Sequence, residues 1–113
     1  YTVYMNHKRI FDYVEDTCRT LANIVNNFKA GEVYNIGGKK DWETEIKHVS
    51  DLILEYLGKD DSKVEYKQAE PFTTRAKKID FSKAIKDLKH DPRISLEEGI
   101  SRTIEWMRSA YSL

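Results

Sequence analysis

The chain has 113 residues, and its 19 lysines and arginines are balanced by 19 aspartates and glutamates. That length suits one small domain or a piece of a larger one, and the balance of charge excludes a strong field for nucleic acid or an anionic membrane surface. No apolar run is long enough to span a bilayer, and the lone cysteine, Cys18, excludes an intrachain disulfide, which fits a reducing cytoplasm.

Residues 1–14 read as extended, because Tyr, Val, Ile and Phe recur there around the polar Asn6-His7-Lys8. The opening Tyr-Thr-Val-Tyr-Met has neither an initiator Met nor a signal-peptide pattern, as expected of a truncated or processed chain. Asp16 is the expected N-cap of a first helix, in which Cys18, Leu21, Ala22, Val25 and Phe28 make one apolar stripe and Gly31 is the stop. Val33, Tyr34 and Ile36 predict a short strand ending at Gly37-Gly38, with Lys39 and Lys40 in the loop that follows. A second helix is expected from about Asp41. Ile46, Val49, Ile53 and Tyr56 share its face, Leu52 and Leu57 widen that face, and Gly58 ends the helix. Val64 and Tyr66 alternate with charged residues, the pattern of a half-buried strand. Residues 68–78 are irregular around Pro71. Ser82 is expected to cap a short helix carrying Ala84, Ile85 and Leu88, which Pro92 stops. Ser95 and Glu98 match a capping box, opening a last helix with Leu96, Ile100, Thr103, Met107 and Ala110 on its buried stripe. The order strand, helix, strand, helix, strand, short helix, helix is a mixed α/β pattern.

Few side chains offer chemistry at a useful spacing. His7, His48 and His90 are far apart in sequence, and none has a His or Cys at zinc-ligand spacing. His48 lies off the apolar stripe of its helix and is expected to be exposed. Glu97 and Glu98 fall in the first turn of a helix, where carboxylates favour the helix dipole. Cys18 reads as buried packing, and Trp42 and Trp106 as core or staple residues.

Four short patterns in order carry more information. They are Arg9-Ile-Phe-Asp-Tyr-Val-Glu-Asp16, Val33-Tyr-Asn-Ile-Gly-Gly38, Ile79-Asp-Phe-Ser-Lys-Ala84, and Ser95-Leu-Glu-Glu-Gly-Ile100 leading to Thr103-Ile-Glu-Trp106. Together they span nearly the whole chain and resemble the C-terminal part of the extended short-chain dehydrogenase/reductases, the nucleotide-sugar epimerases and dehydratases. The resemblance implies a single fragment over residues 1–113. Residues 1–40 would hold the last helix and edge strand of a dinucleotide-binding (Rossmann) domain that is otherwise missing, and residues 41–113 the substrate lobe. It implies NAD as the cofactor of the parent protein, with no NAD site in this part. The implied partners are a nucleotide-diphosphate sugar and the missing Rossmann domain, and an exposed sheet edge at Val33–Ile36 invites homo-oligomers.

The chemical centre of that family is not found here. No G-x-G-x-x-G or Gly-x-x-Gly-x-x-Gly occurs. Tyr4-Met-Asn-His-Lys8 matches the family's catalytic Tyr-x-x-x-Lys literally, but it sits in an extended segment, where four-residue spacing does not bring side chains together. The resemblance assigns Arg9, two positions before Phe11, to the nucleotide-sugar phosphates, and a planar guanidinium fork suits a diphosphate. Arg75 is the second phosphate candidate. A common form of the family has an arginine before the proline, where this chain has Glu70 before Pro71. Lys77 and Lys78 either add charge or form a solvated face. Asn35 matches a nucleotide-touching position in some dehydratases, or satisfies a neighbouring turn. The expected function is the nucleotide-sugar-binding part of an epimerase or 4,6-dehydratase, inactive alone. The rival is a stand-alone helical interaction module without enzymatic activity, which should protect the strand at 33–36 rather than expose it.

Overall fold

The computed structural model describes residues 1–112, and four helices and four very short strands make up its regular structure. β1 (Thr2–Tyr4) pairs in parallel with β4 (Glu65–Lys67), setting Val3 opposite Tyr66, and β2 (Lys8–Ile10) pairs antiparallel with β3 (Glu43–Glu45). The extended N-terminal segment thus splits between two small sheets, with a turn at Met5-Asn6. The β1–β4 ladder runs on past the strands, through Met5 N–H to the Lys67 carbonyl at 2.9 Å and Asn6 N–H to the Gln68 carbonyl at 3.2 Å. Val3 is buried beneath this ladder.

The helices form two pairs. α1 (Val14–Asn27) lies against α3 (Ser82–Leu88), and α2 (Ile46–Leu57) against α4 (Leu96–Tyr111). α2 begins later than its sequence suggests, because Lys40–Trp42 form a 3₁₀ turn and Glu43–Glu45 are taken by β3. Gly58 ends α2 in the left-handed region (φ 62°), and its N–H and that of Lys59 return to the Glu55 and Leu54 carbonyls. Ser82 is the first residue of α3 rather than its cap. The Asp80 carboxylate instead accepts from the Ser82 N–H at 2.9 Å. α4 starts as expected, with the Ser95 hydroxyl accepting from the Glu98 N–H at 3.3 Å, but Glu98 turns its carboxylate to Arg102 at 2.5 Å instead of closing the box.

α1 departs most from expectation. It starts at Val14 with Tyr13 at the cap, so Asp16 lies inside the first turn, and it ends at Asn27, ahead of Gly31. The apolar stripe faces outward: Leu21, Phe28 and Cys18 are exposed, and Val25 is 82 % exposed. The side turned inward is polar, with Asp16, Thr20, Asn23 and Asn27 at their own four-three-four spacing. Trp106 and Met107 are also exposed on α4, where Ile104 carries the burial, and Trp42 is only half-buried.

The chain is broad and thin, 50 × 37 × 20 Å, with a Cα radius of gyration of 16.5 Å; a compact domain of this length reaches about 13 Å. It exposes 7992 Å², where a compact monomer of 13.3 kDa exposes about 6,450 Å². The excess of about 1,500 Å² is nearly twice the roughly 800 Å² that one partner contributes to a standard protein interface.

No strand forms at Val33–Ile36 among the described residues. A strand exists only where its backbone groups find a ladder, and no other segment among the described residues supplies one there. Val33 is 80 % exposed.

Candidate functional site

The Arg9–Arg75 junction follows from the strand pairing. β2 holds Arg9 opposite Thr44, and on its other side the Lys8 N–H donates to the Arg75 carbonyl at 2.7 Å. Arg9 Nη1 then donates to the Lys8 carbonyl at 2.7 Å and to the Arg75 carbonyl at 3.3 Å. Two arginines 66 positions apart are so brought onto one junction. Among the described residues, neither guanidinium is paired with a carboxylate.

The loop before Arg75 is fixed from its other end by His7. This ring is buried, and its Nε2 accepts from the Glu70 N–H at 3.1 Å, so the ring proton sits on Nδ1. Glu70 turns its carboxylate back onto its own loop, accepting from the Thr73 hydroxyl at 2.9 Å. Between them, Pro71 and Phe72 make the corner, with Phe72 at φ 62° and fully exposed.

Asn35 is not part of this junction. Its Nδ2 donates to the Asp80 carbonyl at 3.4 Å, tying the 33–36 segment to the approach of α3. The segment is held from several sides. Lys29 Nζ reaches Asp87 at 2.6 Å, the Tyr34 hydroxyl donates to the same carboxylate at 3.1 Å, and Lys83 pairs with Glu32 and donates to the Val33 carbonyl at 3.3 Å. The Lys29 ammonium, with help from Tyr34 and against partial burial, holds the Asp87 carboxyl below its ordinary range.

A buried polar network missed in the sequence joins these parts. Asp16 is 1 % exposed, and one carboxylate oxygen accepts from both the Arg93 and Ile94 N–H groups at 2.8 Å, while the other accepts from Arg19 at 2.7 Å. Burial by itself pushes the Asp16 carboxyl up; the two amides and Arg19 outweigh it and leave the group below the usual carboxylate range. Next to it, His90 lies buried between Thr20 and the Gly37 carbonyl, with Nδ1 2.7 Å from the Thr20 hydroxyl and Nε2 2.6 Å from the carbonyl. A carbonyl only accepts, so the Nε2 proton is fixed there. The Asn23 amide adds a bond to the Leu88 carbonyl at 3.0 Å. The available signal was the polar stripe of α1, which spacing alone does not assign to the inside.

His48 is exposed, with Nε2 3.9 Å from Glu97. Tyr4 and Lys8 lie on separate strands. Cavities open at two further places among the described residues. One of about 630 Å³ is apolar, between α2 and α4 beneath Phe11 and Tyr13. The other, of about 490 Å³, includes Lys39, Lys40, Lys78 and Ser82. No described helix is long and apolar enough to cross a membrane.

No protein-family profile matches the chain, but individual proteins do. It is 33% identical over 109 residues to the dTDP-glucose 4,6-dehydratase of an Actinoplanes species, covering 95% of this chain and 33% of that protein. It is 32% identical over 106 residues to the UDP-glucuronate 4-epimerase of Thermodesulfobacterium geofontis, covering 93% of this chain and 32% of the relative. Its fold superposes on the dTDP-glucose 4,6-dehydratase of Streptomyces venezuelae, solved with NAD bound, with a TM-score of 0.82 and 26% identity over 98% of this chain and 34% of the other. The chain therefore resembles one part of the extended short-chain dehydrogenase/reductases that act on nucleotide sugars. It spans about a third of the length of the curated relatives it matches.

Gly37 and Gly38 lie where the chain packs closely on itself. A Cβ on Gly37 would lie 2.8 Å from Phe81 Cε1, and one on Gly38 would lie 2.1 Å from the Phe11 carbonyl oxygen. Both glycines therefore admit close packing of the chain on itself that a side chain would block.

Proposed function

We propose that this chain is the C-terminal, substrate-binding third of an NAD-dependent nucleotide-sugar 4,6-dehydratase or 4-epimerase, and that it is inactive alone. The observation that carries this reading is the Arg9–Arg75 junction within a chain matched over nearly its whole length to such enzymes. Two guanidiniums without carboxylate partners, held by backbone pairing, suit the diphosphate of a nucleotide sugar, which they bind by charge-assisted, bidentate hydrogen bonds. They bind and orient the substrate. NAD, bound elsewhere in the longer protein, supplies hydride transfer. Asn35 belongs to this proposal as a nucleotide contact, its side-chain oxygen being free to accept when its amide nitrogen is on Asp80.

The division at about residue 40 is part of the same reading. Residues 1–40 carry the outward apolar face of α1 and the ladderless 33–36 segment, and both fit a seam against the Rossmann domain of the longer chain. Residues 41–113 carry the substrate lobe. A stand-alone interaction module is disfavoured by the same features, since an independent domain shields such a segment.

The test is to express the 113 residues alone and within the longer protein, and to assay both with NAD, dTDP-glucose and UDP-sugars. Turnover is expected only in the longer protein. NAD-dependent conversion by the 113 residues alone would refute the reading.

A further inference from the structure

Phe72 is the least economical residue of the chain. It sits at the third position of the turn Glu70-Pro71-Phe72-Thr73 with φ 62°, where glycine is the unstrained choice. A bulky side chain in the left-handed region is a true conformational outlier, and such outliers persist only where their surroundings hold them. Here the surroundings do so. The Glu70 N–H is held by the buried His7 ring, the Glu70 carboxylate by the Thr73 hydroxyl, and the Arg75 carbonyl by Lys8 and Arg9. The ring that this turn presents is fully exposed. A planar apolar face thus stands three residues from Arg75, on the loop whose end meets Arg9.

We infer that Phe72 is a base-stacking residue of the substrate site: its ring covers the nucleobase of the nucleotide whose diphosphate the two arginines bind. This rests on the nucleotide-sugar reading above. A nucleotide sugar joins a π-face to a dianionic diphosphate within one small molecule, and the loop offers the matching pair, an aromatic ring at Phe72 and a guanidinium three residues on at Arg75. Stacking is tolerant of base identity, because every base has a π-face. Phe72 therefore adds affinity for the nucleotide moiety without choosing between thymine and uracil.

The test uses the longer protein and three probes: thymidine diphosphate, uridine diphosphate and inorganic pyrophosphate. Phe72→Gly is the main variant, because it removes the ring and relieves the backbone, so folding is preserved or improved. It is expected to weaken both nucleoside diphosphates roughly ten- to a hundredfold and to leave pyrophosphate unchanged. Phe72→Trp is expected to restore the affinity. Arg9→Ala, the control, is expected to weaken all three probes. Unchanged nucleotide affinity in Phe72→Gly overturns the assignment, and a lowered melting temperature alongside would place the ring against polypeptide instead. An equal loss for pyrophosphate also overturns it, since the ring would then act by shaping the Arg75 loop. If the wild-type protein binds none of the probes, the nucleotide-sugar reading fails and this inference with it.

Discussion

Arg9 and Arg75 meet through a backbone carbonyl: Arg9 Nη1 donates to the Arg75 oxygen at 3.3 Å, and the Lys8 N–H donates to the same oxygen at 2.7 Å. The junction is thus set by main-chain pairing and does not depend on one side chain finding another. Each guanidinium can be removed without collapsing the other's position, so the two are separable experimentally.

In the longer protein, Arg9→Ala and Arg75→Ala should each weaken nucleotide-sugar binding by roughly ten- to a hundredfold, because one charge-assisted contact is worth about 1.5–3 kcal/mol. The effect should fall on KM more than on kcat, since the diphosphate is held in both ground and transition states. Glu70→Arg should tighten binding by adding a cation before Pro71. Steady-state kinetics on the three variants checks this; unchanged nucleotide affinity in both alanine variants would reduce the arginines to surface residues.

The 113 residues alone should self-associate through the outward face of α1 and the 33–36 segment. Val25→Glu should lower the associated fraction in light scattering while leaving the melting temperature of the isolated chain nearly unchanged, because Val25 is 82 % exposed there. In the longer protein the same substitution should destabilise by about 2–4 kcal/mol, as a charge forced against a buried seam does. A change of less than 0.5 kcal/mol, the usual range of surface sites, would remove α1 from the seam.

Asp16 should hold the α1 and α3–α4 parts together. Asp16→Ala strands the Arg93 and Ile94 N–H groups, at about 2–4 kcal/mol by chemical denaturation. The pH dependence follows from its lowered pKa. The unfolded carboxyl, near 3.9, takes a proton before the folded one does. The stabilisation is therefore complete above that value and is lost as the pH falls through the lower folded value. The wild-type chain should lose more stability in that acidic window than Asp16→Asn, whose residue 16 does not titrate.

Gly38→Ala should be among the most damaging small substitutions. Its Cβ would lie 2.1 Å from a main-chain oxygen, which yields less readily than a side chain, so the loop to Lys40 must move. A loss of at least about 3 kcal/mol is expected. Gly37→Ala meets a ring edge at 2.8 Å and should cost less. Equal and small effects would show that this loop is not packed as described.

By itself, the sequence determined the local elements with local causes. Gly58 stops α2 because it adopts the left-handed conformation there, Ser95 starts α4 because its hydroxyl meets the Glu98 N–H, and Tyr66 is the half-buried residue of β4 between exposed charged neighbours, with Val64 just ahead of the strand. The resemblance to nucleotide-sugar enzymes, and not spacing alone, singles out Arg9 and Arg75. Only the tertiary structure decided which way α1 faces. Periodicity gives a helix an apolar stripe and a polar stripe but does not say which one its own chain covers; here Asp16, Thr20 and Asn23 point inward because Arg93, Ile94, His90 and the Leu88 carbonyl meet them. The same holds at Val33–Ile36. The β-propensity of these residues is real, but a strand needs a second strand to receive its hydrogen bonds, and none of the described residues provides one there. Pairing across 66 positions likewise brought Arg9 to Arg75, a relation that no local pattern encodes because it depends on which backbone edge is left free once the chain has folded.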